Sequence, residues 1–352
     1  MAQSGKVRDS AQTLTSTRGG ELILVRPTVD DANSLVAPVE TEYVHCALCG
    51  KNEPEQLYLG QDRAYDKPGR FPIVRCQNCN LIYVNPRPVP QAIDYYYPTD
   101  YEPYRRAPGE ARFKIQQLHQ RLKLRNRCLA VTKLVQGGQL LDVGCATGTF
   151  LAEMKRYGDW QVFGVEPNQW AARYAREHLA LDVFPGRLSE AGFADNQFNV
   201  VTMWDVLEHL HDPRQTLAEI ARILKPGGFL ICSVPNLDSI DARLFGRFWI
   251  GLDVPRHLYV YSRHTLSAML KAENLQPQKF FCFYGRYTAF ALSLRLVWRE
   301  WVHSERARKR WDQILFAPLW RFLFLPYFFL IDKLGKGTIV TVYAQKRVGG
   351  QH

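Results

Sequence analysis

Apolar and polar positions change period several times along the chain, and the changes divide it into four stretches. Residues 1–40 are polar, aperiodic and rich in Ser, Thr, Gly and Asp, which predicts a disordered N-terminal tail. Residues 41–88 carry short β-type runs such as Phe71–Arg75 and Leu81–Val84. Residues 89–136 read as a connecting arm, rich in Pro and Tyr, followed by a helix over 111–136 that Gly137 and Gly138 stop. From 137 to 347, apolar runs of strand length alternate with amphipathic runs of helical period.

The strand candidates in that last stretch are Gln139–Val143, Gln161–Val165, Leu181–Phe184, Phe198–Met203, Phe229–Val234, Lys279–Tyr284 and Thr338–Gln345. Helices are predicted at Thr149–Tyr157, Gln169–Leu179 and Asp212–Leu224, and an aromatic, basic insertion at about 286–336 separates the last two strands. Strands alternating with helices predict an α/β fold with a doubly wound, mostly parallel sheet covered on both faces.

Within residues 41–88, Cys46-x2-Cys49 and Cys76-x2-Cys79 are separated by 26 residues. Two such chelate loops match a four-thiolate zinc ribbon, and four sulfurs leave no open position for chemistry, so a structural zinc is expected. The opening residues hold no apolar run of signal-peptide type, so the paired cysteines are read as metal ligands in a reducing, cytoplasmic compartment.

The sharpest motif is Leu140-Leu-Asp-Val-Gly-Cys-Ala-Thr-Gly-Thr-Phe150, a buried strand running through a small-residue turn into a helix. Gly144 and Gly148 let backbone approach a ligand at the helix N-terminus. A dinucleotide fingerprint would need glycines at Ala146 and Thr149, and a P-loop would need a lysine in the turn. Asp142 would repel a pyrophosphate and suits a cation, such as a sulfonium carrying a free amino group. Glu166, at the end of the next strand, is placed to accept from two ribose hydroxyls.

These residues, with Val162-Phe-Gly-Val-Glu-Pro-Asn168, Phe198–Pro213 and Leu224–Asn236, resemble the class I S-adenosylmethionine-dependent methyltransferases. The resemblance implies a Rossmann-like seven-stranded sheet and S-adenosyl-L-methionine as cofactor. It implies that Asp142, Gly144 and Gly148 line the methionine end, that Glu166 holds the ribose, that Leu188 passes the adenine, and that Cys145 is among the cofactor-binding residues. Asp205 joins this cofactor-binding set. Ala146 stands where relatives carry a middle glycine. The cysteine unit and its Pro/Tyr arm resemble the zinc-binding front ends of bacterial sugar and surface-polysaccharide methyltransferases, and Tyr95, Tyr96, Tyr97 and Tyr101 are candidates to lid the site or pack between domains.

Methyl transfer is an in-line displacement, so positioning is the protein's main task; a hydroxyl acceptor also benefits from a base. His209 and His257 are the catalytic candidates. Asp205, Glu208 and His209 also resemble the acid–acid–histidine set of ubiquinone-pathway O-methyltransferases, some of which hold a divalent metal. An Asp at the first position, and a helical Glu208–His209 pair pointing to different faces, argue against a catalytic metal here.

The expected acceptor is a small-molecule sugar, a lipid-linked sugar or a related cell-envelope metabolite. An RNA methyltransferase is the second reading, disfavoured because Trp204-Asp-Val-Leu stands in place of a base-methylating tetrad. A cofactor-binding scaffold without turnover is the third. From Arg286 to His352 twelve Lys/Arg face four Asp/Glu, a balance that favours anionic partners. The run Ile314–Ile331 is apolar but short and carries Pro318, Arg321 and Pro326. Two readings stand: an in-plane contact with an anionic membrane, which would give a peripheral location at the inner face, or an ordinary buried helix pair inserted before the last strand.

Overall fold

The computed structural model describes residues 39–97, 114–282 and 287–348. The expected disordered tail (1–40), except Val39 and Glu40, and part of the connecting arm therefore lie outside the described residues. The β-type runs of the cysteine unit form an antiparallel sheet of β1 (Pro54–Gln61), β2 (Arg70–Cys76) and β3 (Ile82–Val84). Its fourth strand comes from far along the chain: Tyr259–Val260 pairs antiparallel to β3, with Tyr259 opposite Tyr83 and Val260 opposite Ile82. One apolar core runs through both units, joining Phe71, Ile73 and Tyr83 to Leu141, Val201 and Leu258. The cysteine unit is thus built into the rest of the molecule.

The second sheet has seven strands: β4 (Gly138–Val143), β5 (Trp160–Val165), β6 (Asp182–Phe184), β7 (Phe198–Trp204), β8 (Leu224–Pro235), β9 (Leu275–Phe281) and β10 (Ile339–Lys346). Their spatial order is β9-β10-β8-β7-β4-β5-β6, and β10 alone runs against the others. This is the doubly wound, mostly parallel architecture that the sequence predicts. The chain leaves β4 in one direction through β5 and β6, then returns to build β7 and β8 on the other side. The crevice at the carboxyl ends of β4 and β7 is where such sheets bind ligands.

Helices Gln169–Leu179 and Pro213–Ile223 bury one apolar stripe each, Ala171, Ala172 and Ala175 in the first, Leu217, Ile220 and Ile223 in the second. Side chains of Asn168 and Asp212 cap them by accepting from Ala171 N and Gln215 N. The helix after the glycine turn is shorter than expected, Thr149–Met154. β8 begins at Leu224, five residues before the expected Phe229, because Lys-Pro-Gly-Gly reads as a turn yet is carried as an irregularity in the β7 pairing. β9 starts at Leu275, before the expected Lys279, and the expected end at Tyr284 lies outside the described residues; it is an edge strand, where a proline such as Pro277 is tolerated beside a register shift.

The expected insertion contains four helices, Tyr287–Trp301, Glu305–Leu315, Pro318–Leu323 and Leu325–Lys333. They share a small core of Tyr287, Ala291, Phe328 and Ile331. Among the described residues, no helix is long and apolar enough to cross a membrane.

Candidate active site

A cavity of about 1880 Å³ opens at the carboxyl ends of β4, β5 and β7. Its floor is the turn after β4. Gly144 and Gly148 adopt left-handed backbone, φ +73° and +74°, and a Cβ on Gly144 would stand 2.7 Å from Val206 Cγ2. At Gly148 it would stand 2.4 Å from Leu181 Cδ1. Both positions therefore require glycine. Ala146 is left-handed too, φ 48°, a conformation that glycine adopts most readily. Cys145 lines the cavity, but its buried thiol lies where a Cβ on Gly164 would be, so the side chain packs against β5.

Glu166, buried at the end of β5, ties the turn to the next loop. Oε2 accepts from Ala146 N and Oε1 from Asn168 N, both at 2.8 Å. Each oxygen keeps a further lone pair for a ligand. Burial pushes its carboxyl up, partly offset by those two N–H groups. Asp142 accepts from Thr202 Oγ1 at 2.6 Å. Burial raises its carboxyl to about 7, against that hydrogen bond and the charge of Arg127. A carboxyl poised in this way gains most from a cationic neighbour, which favours its ionised form.

Asp205, at the end of β7, also has positive φ, 61°. Its Oδ2 meets Arg127 Nη2 at 3.3 Å and its Oδ1 accepts from Ser233 Oγ at 3.2 Å. The Arg127 guanidinium lies 4.7 Å from the Trp204 ring centroid. Arg127 comes from the long helix Lys114–Thr132, where its basic periphery gives no hint of a role in the site. Leu188 opens a short turn, Leu188–Glu190, on the cavity wall next to Arg187.

The far end of the cavity holds His209 and His257, with ring centroids 4.6 Å apart. His209 Nδ1 lies 3.0 Å from the carbonyl of Arg256 and His257 Nδ1 lies 2.8 Å from that of Gly251. A carbonyl only accepts, so both rings carry their proton on Nδ1, leaving Nε2 as the acceptor atom. Burial drives His209 down to about 3, and the neighbouring His257 adds to the effect. Leu207–His209 is a tight three-residue turn, which brings donor atoms of Glu208, His209 and His257 within 4.8 Å of one another. The expectation that Glu208 and His209 point apart is therefore corrected: it rested on α-helical geometry. Asp205 is outside that group.

Of the arm tyrosines, Tyr97 lines the cavity with its hydroxyl 3.0 Å from His209 Nδ1. Tyr96 is core, stacked edge-on against Phe71 and donating to the carbonyl of Pro68. Tyr95 is exposed, and Tyr101 lies outside the described residues. Behind the histidines sits an ion network absent from the sequence reading. Arg256, fully buried, donates to both oxygens of Asp62 (2.8 and 2.9 Å) and both of Asp253 (2.7 and 3.0 Å).

Cys46, Cys49, Cys76 and Cys79 converge with all four sulfurs within 4.8 Å of one another. Cys46 and Cys79 are 3.4 Å apart and Cys49 and Cys76 3.5 Å, too long for disulfides. Tetrahedral zinc with bonds of about 2.3 Å separates its sulfurs by roughly 3.8 Å, so the four thiols match that ion.

Residues 112–279 match the family model described as "Methyltransferase domain". Over 161 residues the chain is 31% identical to a ubiquinone biosynthesis O-methyltransferase of Thiobacillus denitrificans, covering 44% of this chain and 69% of that protein. Over 114 residues it is 34% identical to an uncharacterized methyltransferase of Schizosaccharomyces pombe, covering 29% and 41%. Among solved structures it is similar to geranyl diphosphate C-methyltransferase from Streptomyces coelicolor A3(2), with a TM-score of 0.45, 16% identity, and coverage of 69% and 89%. The Thiobacillus denitrificans relative, covered over more than two thirds of its length, and the family model together show that the chain belongs to the class I S-adenosylmethionine-dependent methyltransferases, and the seven-stranded sheet agrees. It spans about 41% to 58% of the length of the first curated relatives it matches.

Proposed function

We propose that this protein transfers a methyl group from S-adenosyl-L-methionine to a hydroxyl of a small-molecule or lipid-linked acceptor, such as a sugar or cell-envelope metabolite. The carrying observation is that one cavity joins the glycine turn to the two histidines. Its volume, about 1880 Å³, exceeds the roughly 300–1,000 Å³ of a single ligand site, leaving room for donor and acceptor together.

The cofactor supplies an electrophilic methyl on a sulfonium. Asp142 and Asp205 give the methionine end a negative environment, and Arg127 offers its carboxylate a cation. Gly144 and Gly148 admit the ligand to the backbone, with Cys145 contributing main chain. Glu166 accepts from the ribose, and Leu188 covers the adenine. At the acceptor end the hydroxyl proton passes to Nε2 of His257. Asp253 Oδ2, 4.0 Å away, stabilises the resulting imidazolium. His209, held neutral by burial, and Tyr97 fix the His257 ring and the acceptor.

The test is to incubate the protein with methyl-labelled cofactor and fractionated cell extract. Label in sugar or lipid fractions, in an ether linkage, is expected; label confined to RNA would overturn the acceptor class. With the acceptor in hand, His257→Ala is expected to lower turnover about 10²-fold with cofactor affinity unchanged. His209→Ala should raise the acceptor KM more than it lowers kcat. The reverse pattern would move the base to His209.

We also propose that Cys46, Cys49, Cys76 and Cys79 hold one structural zinc. Elemental analysis of protein purified without chelator is expected to give one zinc per chain, and Cys46→Ser should lose it together with folding stability. A metal-free, fully active protein would sink this assignment.

A further inference from the structure

Among the described residues twenty large apolar side chains are exposed, and eight of them fall between Ile314 and Leu334. Leu319, Phe322, Leu323, Leu325, Phe329 and Leu330 are each at least 56% exposed. Scattered exposed apolar groups need no explanation, but this density on two consecutive short helices makes an interaction surface. Its inner side is anchored: Phe324 and Phe328 pack against Tyr287 and Phe290 of the preceding long helix.

The surroundings of this face are basic. Between residues 305 and 336 seven Lys/Arg stand against three Asp/Glu. Arg306, Lys309, Arg310 and Lys333 are exposed, and Lys333 Nζ lies 4.6 Å from the Phe329 ring centroid, at the edge of the apolar groups. A second copy of the chain would set these like charges against each other. A nucleic acid would engage the charges and leave the leucines and phenylalanines in water.

We propose that the helices Pro318–Leu323 and Leu325–Lys333 dock this protein onto an anionic lipid bilayer, apolar side chains in the interface and basic ones at the headgroups. Helices of six and nine residues span roughly 9 and 14 Å, against about 30 Å of hydrocarbon, so the contact lies in the membrane plane. The docked unit is also a wall of the site. Thr288, Leu292, Arg295 and Leu296 of the long helix line the cavity, while Phe290 of the same helix packs on the apolar pair. Docking would therefore hold this wall of the cavity next to the bilayer. The proposal goes beyond methyl transfer and stands or falls without it.

The experiment is sedimentation of the full chain with vesicles of phosphatidylcholine alone or mixed with phosphatidylglycerol, at low and high salt. Partition into anionic vesicles is expected to exceed that into neutral ones at least tenfold and to fall as salt rises. The triple variant Phe322→Ser, Leu323→Ser, Phe329→Ser should lose at least tenfold of that binding. Charge reversal by Lys309→Glu and Arg310→Glu should abolish the preference for anionic lipid. Unchanged S-adenosylmethionine affinity in both variants reports that they fold. Wild-type protein that ignores both vesicle types, or partitions equally into both, overturns the proposal. So does a dimer in solution that the triple variant dissolves, which would assign the face to a second copy.

Discussion

Glu166→Ala is expected to weaken S-adenosylmethionine binding by about 3–4 kcal/mol, a loss of several hundred-fold. Two effects combine. The free lone pairs of a buried carboxylate would no longer accept from the cofactor's ribose, and charge-assisted bonds of that kind contribute about 1.5–3 kcal/mol each. The same carboxylate also holds Ala146 N and Asn168 N, so its removal loosens the turn that admits the ligand. Glu166→Gln separates the two effects. One amide oxygen still accepts, but the NH₂ group faces an N–H donor, so an intermediate affinity is expected. Calorimetry on both variants provides the measurement, and an unchanged affinity in Glu166→Ala would remove this residue from the cofactor site.

Arg256→Met is expected to lower folding stability by about 3–5 kcal/mol, because a buried charge network loses its guanidinium while its carboxylates stay behind. Burial raises the Asp253 carboxyl, but the hydrogen bonds and charge of Arg256 more than offset this, so its net shift is downward. The sign of the pH dependence follows. In the wild type this contribution is present above the ordinary aspartate range, near 4, and is lost as pH falls through the lower folded value. In the variant burial would act on the Asp253 carboxyl without Arg256 to offset it, so its value is expected to rise and stability to recover as acid protonates it. Urea unfolding at pH 5 and pH 8 should show a smaller deficit for the variant at pH 5; a deficit equal at both would mean that lost packing, and not charge, is responsible.

The glycine-turn end of the cavity is legible in the sequence because its constraints are local. A strand, a left-handed turn and a helix must follow one another within eleven residues, and the turn tolerates few side chains at Gly144, Ala146 and Gly148. Glu166 was legible for the same reason, standing at the end of the next strand. Most of the acceptor end was not. His209 and His257 stood out as residue types suited to proton transfer, but nothing in their spacing shows that their rings meet. Arg256 joins Asp253, three residues away, to Asp62, 194 residues away, and no local pattern announces the second partner. Arg127 was hidden within a basic helix, where one cation looks like any other. The early start of β8 is masked by Lys-Pro-Gly-Gly, which sits as an irregularity between the pairings of Leu224 and Phe229 with β7.

The pairing of Tyr259–Val260 with β3 restricts how this architecture can be reshuffled. A front module that completed its own sheet could be exchanged between enzymes by cutting in the arm. Here the cut would strip a strand from the module and expose the edge of Ile82–Val84. It would also strand Asp62 from Arg256. A viable chimera has to carry the segment around 253–261 together with residues 39–97, and that segment includes His257. The cysteine cluster and the histidine end of the cavity are thus inherited as one genetic unit, so under the proposed function acceptor preference is expected to travel with the front module when such chains recombine.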